Sequence, residues 1–379
     1  MRRIAPIILL SIMASGAHAA TLSYADISRA RSAPEVQAKM AAIQDHAAAA
    51  HVDALVALAA DALSDQALTP AKRELLLAQT ANALAALPAT SATEALLGTL
   101  TTFPTQTWLK HEHGTASHRV PAFDVPAAAR FALRQHANRR QAETFAQHLN
   151  DRNATAHWTN IPQSRSALQK QSEAAFTNRG SVATQAAKML SADRLSETLP
   201  ELLGALPTAP HLAGAAMHAA ETLRDPAPLL AVITHASNQD ALVALGAAGK
   251  MPNSATRLRV IDAAIARPDT ASAALVALAE HVRVTPADTP RLLAWLAQPD
   301  TAMATAHAVA KLDRPDIAAD LGERLLDESD WRQATALALA LTLMRNDTAG
   351  EQLRRYMAAE DGVPELKRKL RATISKVSP

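Results

Sequence analysis

The chain has 379 residues, of which 49% are hydrophobic but only 3% aromatic, with 38 basic and 36 acidic side chains and no cysteine. So even a charge balance excludes a dominant nucleic-acid surface, which needs clustered Lys and Arg and, for single strands, stacking aromatics. The absence of cysteine excludes a disulfide framework, a lipid-attachment cysteine and a cysteine nucleophile.

Arg2 and Arg3 precede an apolar run from Ile4 to Ala14 and then Ala17-His18-Ala19, a small-x-small site. This is the pattern of a secretory signal, residues 1–19, cleaved near Ala19, and it places the mature chain in the bacterial periplasm or outside the cell. Cleavage removes two arginines and leaves 36 basic against 36 acidic residues. The apolar run is shorter than the roughly 18 residues a membrane span requires, and no later run is uninterrupted enough, so no membrane span is expected.

After the signal, the pattern predicts a helix from Pro34 to about Ala50, a second from Val52 to Leu63, a third capped by Thr69-Pro70 and ending near Leu87, and a fourth from Thr93 to Phe103. Periodicity then stops. The prolines at 104, 121 and 126 and Gly114 break any helix across the stretch Trp108-Leu109-Lys110-His111-Glu112-His113-Gly114 and on through Ser117-His118-Arg119 and Phe123-Asp124. The segment from Phe103 to Phe176 holds seven of the chain's 11 aromatic residues and six of its 14 histidines. A long loop with its own composition is a candidate functional site.

Within loop 104–125, Trp108, Arg119 and Phe123 are the candidate anchors for a protein or peptide partner, since aromatic residues and arginine dominate interface hot spots. The competing reading is that Trp108 and Phe123 fasten the loop to the helices. His111, His113 and His118 are the candidate metal ligands, with Glu112 beside them, and neutral imidazoles suit zinc, copper or nickel. His111 and His113 are two apart, which places them on one side of an extended segment and on different sides of a helix.

Past the loop, Asp124-Val125-Pro126 opens a helix that continues Ala127-Ala128-Ala129-Arg130-Phe131-Ala132-Leu133. Sequence from Asn150 to Gly180 is poorly periodic. Beyond it, Pro268-Asp269-Thr270-Ala271 returns as Pro299-Asp300-Thr301-Ala302, and Ala241-Leu242-Val243-Ala244-Leu245 returns as Ala274-Leu275-Val276-Ala277-Leu278. Asp240, Asp269, Asp300 and Asp330 recur about every thirty residues ahead of apolar runs, as capping residues would. Units Asp240–Ala266, Asp269–Ala297, Asp300–Glu328 and Asp330–Glu360 each read as two amphipathic helices, with a last helix from Pro364 to Lys376. In one of these, Leu275, Leu278, Ala279 and Val282 share a face. The alternation Ala336-Leu337-Ala338-Leu339-Ala340-Leu341 reads as a buried helix, because alanine and leucine are helix formers.

From Val52 to Lys376 the chain resembles HEAT-repeat proteins, whose second helix often opens with aspartate, carries arginine and runs through alanines to leucine, as at Asp124 to Leu133. It departs from them in the long loop, in residues 150–180, and at Asn253, Arg257, Arg259, Val260 and Ile261, where another residue stands in place of the aspartate. The resemblance implies an all-α, right-handed superhelical stack of antiparallel helical hairpins, divided here into an N-terminal region (20–190) and a more regular C-terminal one (191–379). It implies no functional residue. Such stacks mostly act as binding scaffolds, so a partner-binding scaffold using its concave face and the 104–125 loop is the first expectation. The alternative is an enzyme or enzyme-associated factor at the His-containing loop. No phosphate loop, Gly-x-Ser-x-Gly or His-Glu-x-x-His motif is present, but a Ser, His and Asp triad could assemble from separate repeats. Asp320, Glu323, Asp327 and Glu328 are spaced as an exposed helix face.

Overall fold

The computed structural model describes residues 20–110, 120–151, 158–161 and 172–377. These residues form nineteen α-helices and one two-stranded sheet. Contacts divide the chain into two compact units, Met1–Gln141 and Ala142–Pro379, and the division falls inside a helix. It does not coincide with the change in repeat regularity near residue 190.

The first unit contains β1 (Ala20–Leu22), α1 (Tyr24–Ser32), α2 (Pro34–Ala48), α3 (Val52–Ser64), α4 (Pro70–Ala85), α5 (Ser91–Leu100), β2 (Thr107–Leu109) and the first part of α6 (Val125–Asn150). Helix α1 was not expected from periodicity; a capping box forms it, with Ser23 Oγ accepting from the Asp26 amide and the Asp26 carboxylate accepting from the Ser23 amide. It stops at Ala33, whose extended backbone is what a residue before proline adopts. Helix α4 buries ten of its sixteen residues because α1, α2 and α3 all pack on it. Its Leu75, Leu77 and Leu84 share a core with Leu55, Leu97 and Leu100.

The second unit begins with the end of α6 and continues through α7 (Ser172–Met189), α8 (Ala192–Ala205), α9 (Ala213–Leu223), α10 (Ala227–His235), α11 (Asn238–Ala248) and α12 (Ser254–Ile265). Then follow α13 (Pro268–Val284), α14 (Thr289–Ala294), α15 (Ala302–Ala310), α16 (Pro315–Asp327), α17 (Trp331–Leu343), α18 (Asp347–Ala358) and α19 (Pro364–Val377). Each of α7, α9, α11, α13, α15 and α17 packs on the next in that series, and α10 packs on α12 and α16 on α18. The alanines make this close approach possible: Ala274, Ala306, Ala308, Ala318, Ala334 and Ala336 are fully buried. Leu275, Leu278, Ala279 and Val282 are buried on one face of α13, and the Ala-Leu alternation lies inside α17, packed on α15, α16 and α18.

The recurring aspartates mark helix starts, but only Asp330 is the N-cap, accepting from the Arg332 and Gln333 amides. Asp240 sits in the first turn of α11 and pairs with the true cap, Ser237; Asp269 follows Pro268 in the first turn of α13. At the other ends of helices a second device recurs, in which a basic side chain from another element donates to the terminal carbonyls. Arg73 reaches Ala62 and Asp65 at the end of α3, Arg139 reaches Ala86 and Leu87 after α4, and Arg267 reaches Ile233 and Ala236 after α10. Arg283 reaches Lys311 after α15, and Lys367 reaches Ala359 and Asp361 after α18. Each satisfies orphan carbonyls and places positive charge at the negative end of a helix.

Candidate functional site

The loop between α5 and α6 is built on a buried carboxylate. Glu74, on the face of α4 turned into the unit, is only 1% exposed and accepts from the Gln106 amide and from the Thr107 hydroxyl and amide. Burial holds its carboxyl above the usual glutamate range, although these hydrogen bonds and the nearby Arg73 charge pull the other way. Thr107 begins β2, which pairs in parallel with β1 in the register Ala20 with Thr107, Thr21 with Trp108 and Leu22 with Leu109. The Ala20 amide donates to the Gln106 carbonyl and the Lys110 amide to the Leu22 carbonyl, both at 2.8 Å.

On its other edge β2 meets the returning chain: the Leu109 amide donates to the Val120 carbonyl at 2.8 Å and the Ala122 amide to the Thr107 carbonyl at 3.0 Å. Trp108 is half-buried, and its indole Nε1 is buried with no hydrogen-bond partner among the described residues. Phe123 is 7% exposed and belongs to the core with Val125 and Ala129. That burial makes Phe123 a fastener of the loop and not a surface anchor, because a ring already packed inside has little area left to offer a partner. His111, Glu112, His113, His118 and Arg119 lie outside the described residues. Among the described residues no three His, Asp or Glu side chains converge as metal ligands.

The second unit does bring a serine, a histidine and an aspartate together. Ser254 opens α12, His281 is in the last turn of α13, and Asp288 ends the short 3-10 turn that follows. His281 Nε2 lies 2.8 Å from Asp288 Oδ2 and 3.5 Å from Ser254 Oγ, and its Nδ1 is buried with no partner. Both oxygens therefore compete for one ring nitrogen. A nucleophile, base and orienting acid need the two different nitrogens, so this trio joins three chain segments but has no relay geometry.

Exposed hydrophobic side chains are unevenly distributed among the helices of the second unit. The large hydrophobic side chains exposed on it are Met189 on α7, Leu242 and Val243 on α11, Val284 on α13, Met303 on α15 and Leu343 on α17, all within the one series of helices that pack on each other. Helices α12, α14, α16 and α18 expose no large hydrophobic side chain and carry the ion pairs Asp262 with Arg291, Asp320 with Arg324 at 2.9 Å, and Glu323 with Arg355, while α13 carries the pair Glu280 with Arg283. The expected solvated face of Asp320 and Glu323 is thus partly tied into pairs, while Asp327 is exposed and Glu328 half-buried. Composition gave no hint of the segregation, since the exposed leucine and valine of α11 sit in the same five-letter string that is largely buried in α13. Compared with models of protein families, with curated proteins and with solved structures, the chain matches none of them.

Proposed function

We propose that the chain is an exported helical-repeat scaffold that binds another protein or peptide through its concave face and the 104–125 loop. The observation that carries this reading is the confinement of exposed Leu242, Val243, Met303 and Leu343 to one series of helices, the alternate helices exposing no large hydrophobic side chain. Exposed apolar groups cost solvation unless a partner covers them, and methionine adapts to varied partners. The recurrence of two-helix units and the i to i+2 packing support a solenoid, and the basic, apolar, small-x-small N-terminus supports export. In the loop, Trp108 is half-buried, so part of its ring is open to a partner.

Photo-crosslinking side chains placed at Val243, Met303 and Trp108 in the full chain, expressed in a bacterial host with its own periplasm, test the reading. One discrete adduct from these positions and none from Arg355 is the expected result, on a mature chain that starts near Ala20. Equal adducts from Arg355, or a chain retained in the cytoplasm with its first nineteen residues, would refute it.

A further inference from the structure

Among the alternate helices of the second unit, α10 packs on α12 and α16 on α18, but α14 interrupts the series. It is six residues long and passes into a three-residue 3-10 turn, where α12, α16 and α18 have 12 or 13 residues. It packs on α13 and α15, and its tie to α12 is the ion pair between Arg291 and Asp262. Between α12 and α14 lies a groove of about 360 Å³, lined by Asp262, Arg291, Ala294, Trp295 and Gln298.

Core packing accounts for only one side of Trp295. The ring packs against the buried core, yet it is half-buried and part of its surface lines the groove. By contrast, Trp158 is fully buried, and Trp331 has the Lys369 ammonium 4.8 Å from the centre of its ring. The polar groups beside Trp295 are mostly uncommitted. Arg291 donates through one terminal nitrogen to Asp262 Oδ2. Its Nε and other terminal nitrogen, Asp262 Oδ1, the Gln298 side-chain amide and the Trp295 indole N–H have no hydrogen-bond partner among the described residues.

We propose that this groove binds one ring of a neutral saccharide, stacked on Trp295 and hydrogen-bonded by Asp262, Arg291 and Gln298. The two charges that line the groove are of opposite sign and paired with each other, so they favour neither an anion nor a cation. What the groove offers instead is an aromatic wall beside planar groups that both donate and accept. A sugar ring has the two matching sides. Its C–H bonds carry slight positive charge and lie against the negative face of the indole, while the hydroxyls at its edge donate to Asp262 and accept from Arg291 and Gln298. The volume is at the low end for small-molecule sites, which begin at about 300 Å³. Helices α12 and α14 expose no large hydrophobic side chain, so the site is separate from the apolar face assigned above.

The test uses the full chain with maltotriose, cellotriose and tri-N-acetylchitotriose, read by titration calorimetry and tryptophan fluorescence. At least one of the three is expected to bind and to shift the emission. Trp295→Ala is expected to weaken that binding by about tenfold and Gln298→Ala by about fivefold. Trp295→Phe, which keeps a ring to stack on, should bind within about threefold of the parent but lose the emission change, whereas Trp331→Phe should keep both. If Trp295→Ala does not fold, Trp295→Phe and the exposed Gln298→Ala decide the question. No binding of any of the three, unchanged affinity in Gln298→Ala, an emission change that survives Trp295→Phe, or tighter binding of adenosine than of every saccharide would each overturn the site. Failure here leaves crosslinking at Val243 and Met303 unaffected.

Discussion

Replacing Glu74 is expected to free the 104–125 loop from the first unit while leaving the helices in place. In Glu74→Ala, the Gln106 amide and the Thr107 amide and hydroxyl lose their acceptor in the interior, at about 1 to 3 kcal/mol for each donor left unpaired. Part of this is offset because a desolvated carboxyl is also removed, so a net loss of about 2 to 5 kcal/mol is expected. Glu74→Gln keeps an acceptor oxygen and should lose less. Hydrogen exchange over residues 103–110 is the direct assay, because a released β2 exposes the amides that pair with β1 and Val120.

The pH dependence of the same group provides a second reading. Its folded pKa lies above the unfolded one, so the fold binds more protons here than the unfolded chain does. The contribution is fully present below the unfolded glutamate pKa and is lost as pH rises through the folded value. The stability of the parent relative to Glu74→Gln should therefore decline from acid toward neutral pH. Unchanged exchange over residues 103–110 in Glu74→Ala would show that the carboxylate does not anchor the loop and would refute the argument.

Leu278→Ala, at a fully buried position of α13, should cost about 2 to 5 kcal/mol in urea unfolding, and a loss below 1 would mean that the site is loosely packed. Gly362 has φ +105°, and an added Cβ would lie 2.8 Å from Tyr356 Cε2, so Gly362→Ala should cost on the order of 1 to 3 kcal/mol and loosen α19, measured by proteolysis of the C-terminus. The Asp313 carboxylate accepts from the Arg345 and Asn346 amides, which hold its pKa below the ordinary aspartate value. Its stabilisation is present above the unfolded pKa and lost as pH falls through the folded one, so Asp313→Ala should flatten the acid side of the stability profile. Replacing residues 111–119 with a short glycine-containing turn should keep the circular dichroism spectrum, because Leu109 and Val120 are already hydrogen-bonded to each other; a loss of helix would make the segment structural.

The helices were legible because their signals are local. Thr69-Pro70, Asp330 and the apolar periods place α4, α17 and most others to within a few residues, since capping and amphipathic burial act over one or two turns. Loop 104–125 was legible as a break for the same reason. Two features were decided by contacts between residues far apart. The strand β1 exists only because Thr107–Leu109 lies beside it, and Glu74 is an anchor only because the chain folds Gln106 and Thr107 onto it. The string Ala-Leu-Val-Ala-Leu shows the limit most directly: in α13 Leu275 is fully buried, while in α11 the corresponding Leu242 is 40% exposed. The first alanine and last leucine of the string are buried in both helices, Ala241 and Leu245 as Ala274 and Leu278. Identical residues with identical helix propensity thus differ at the second position because of the neighbours that cover it and not because of the string itself.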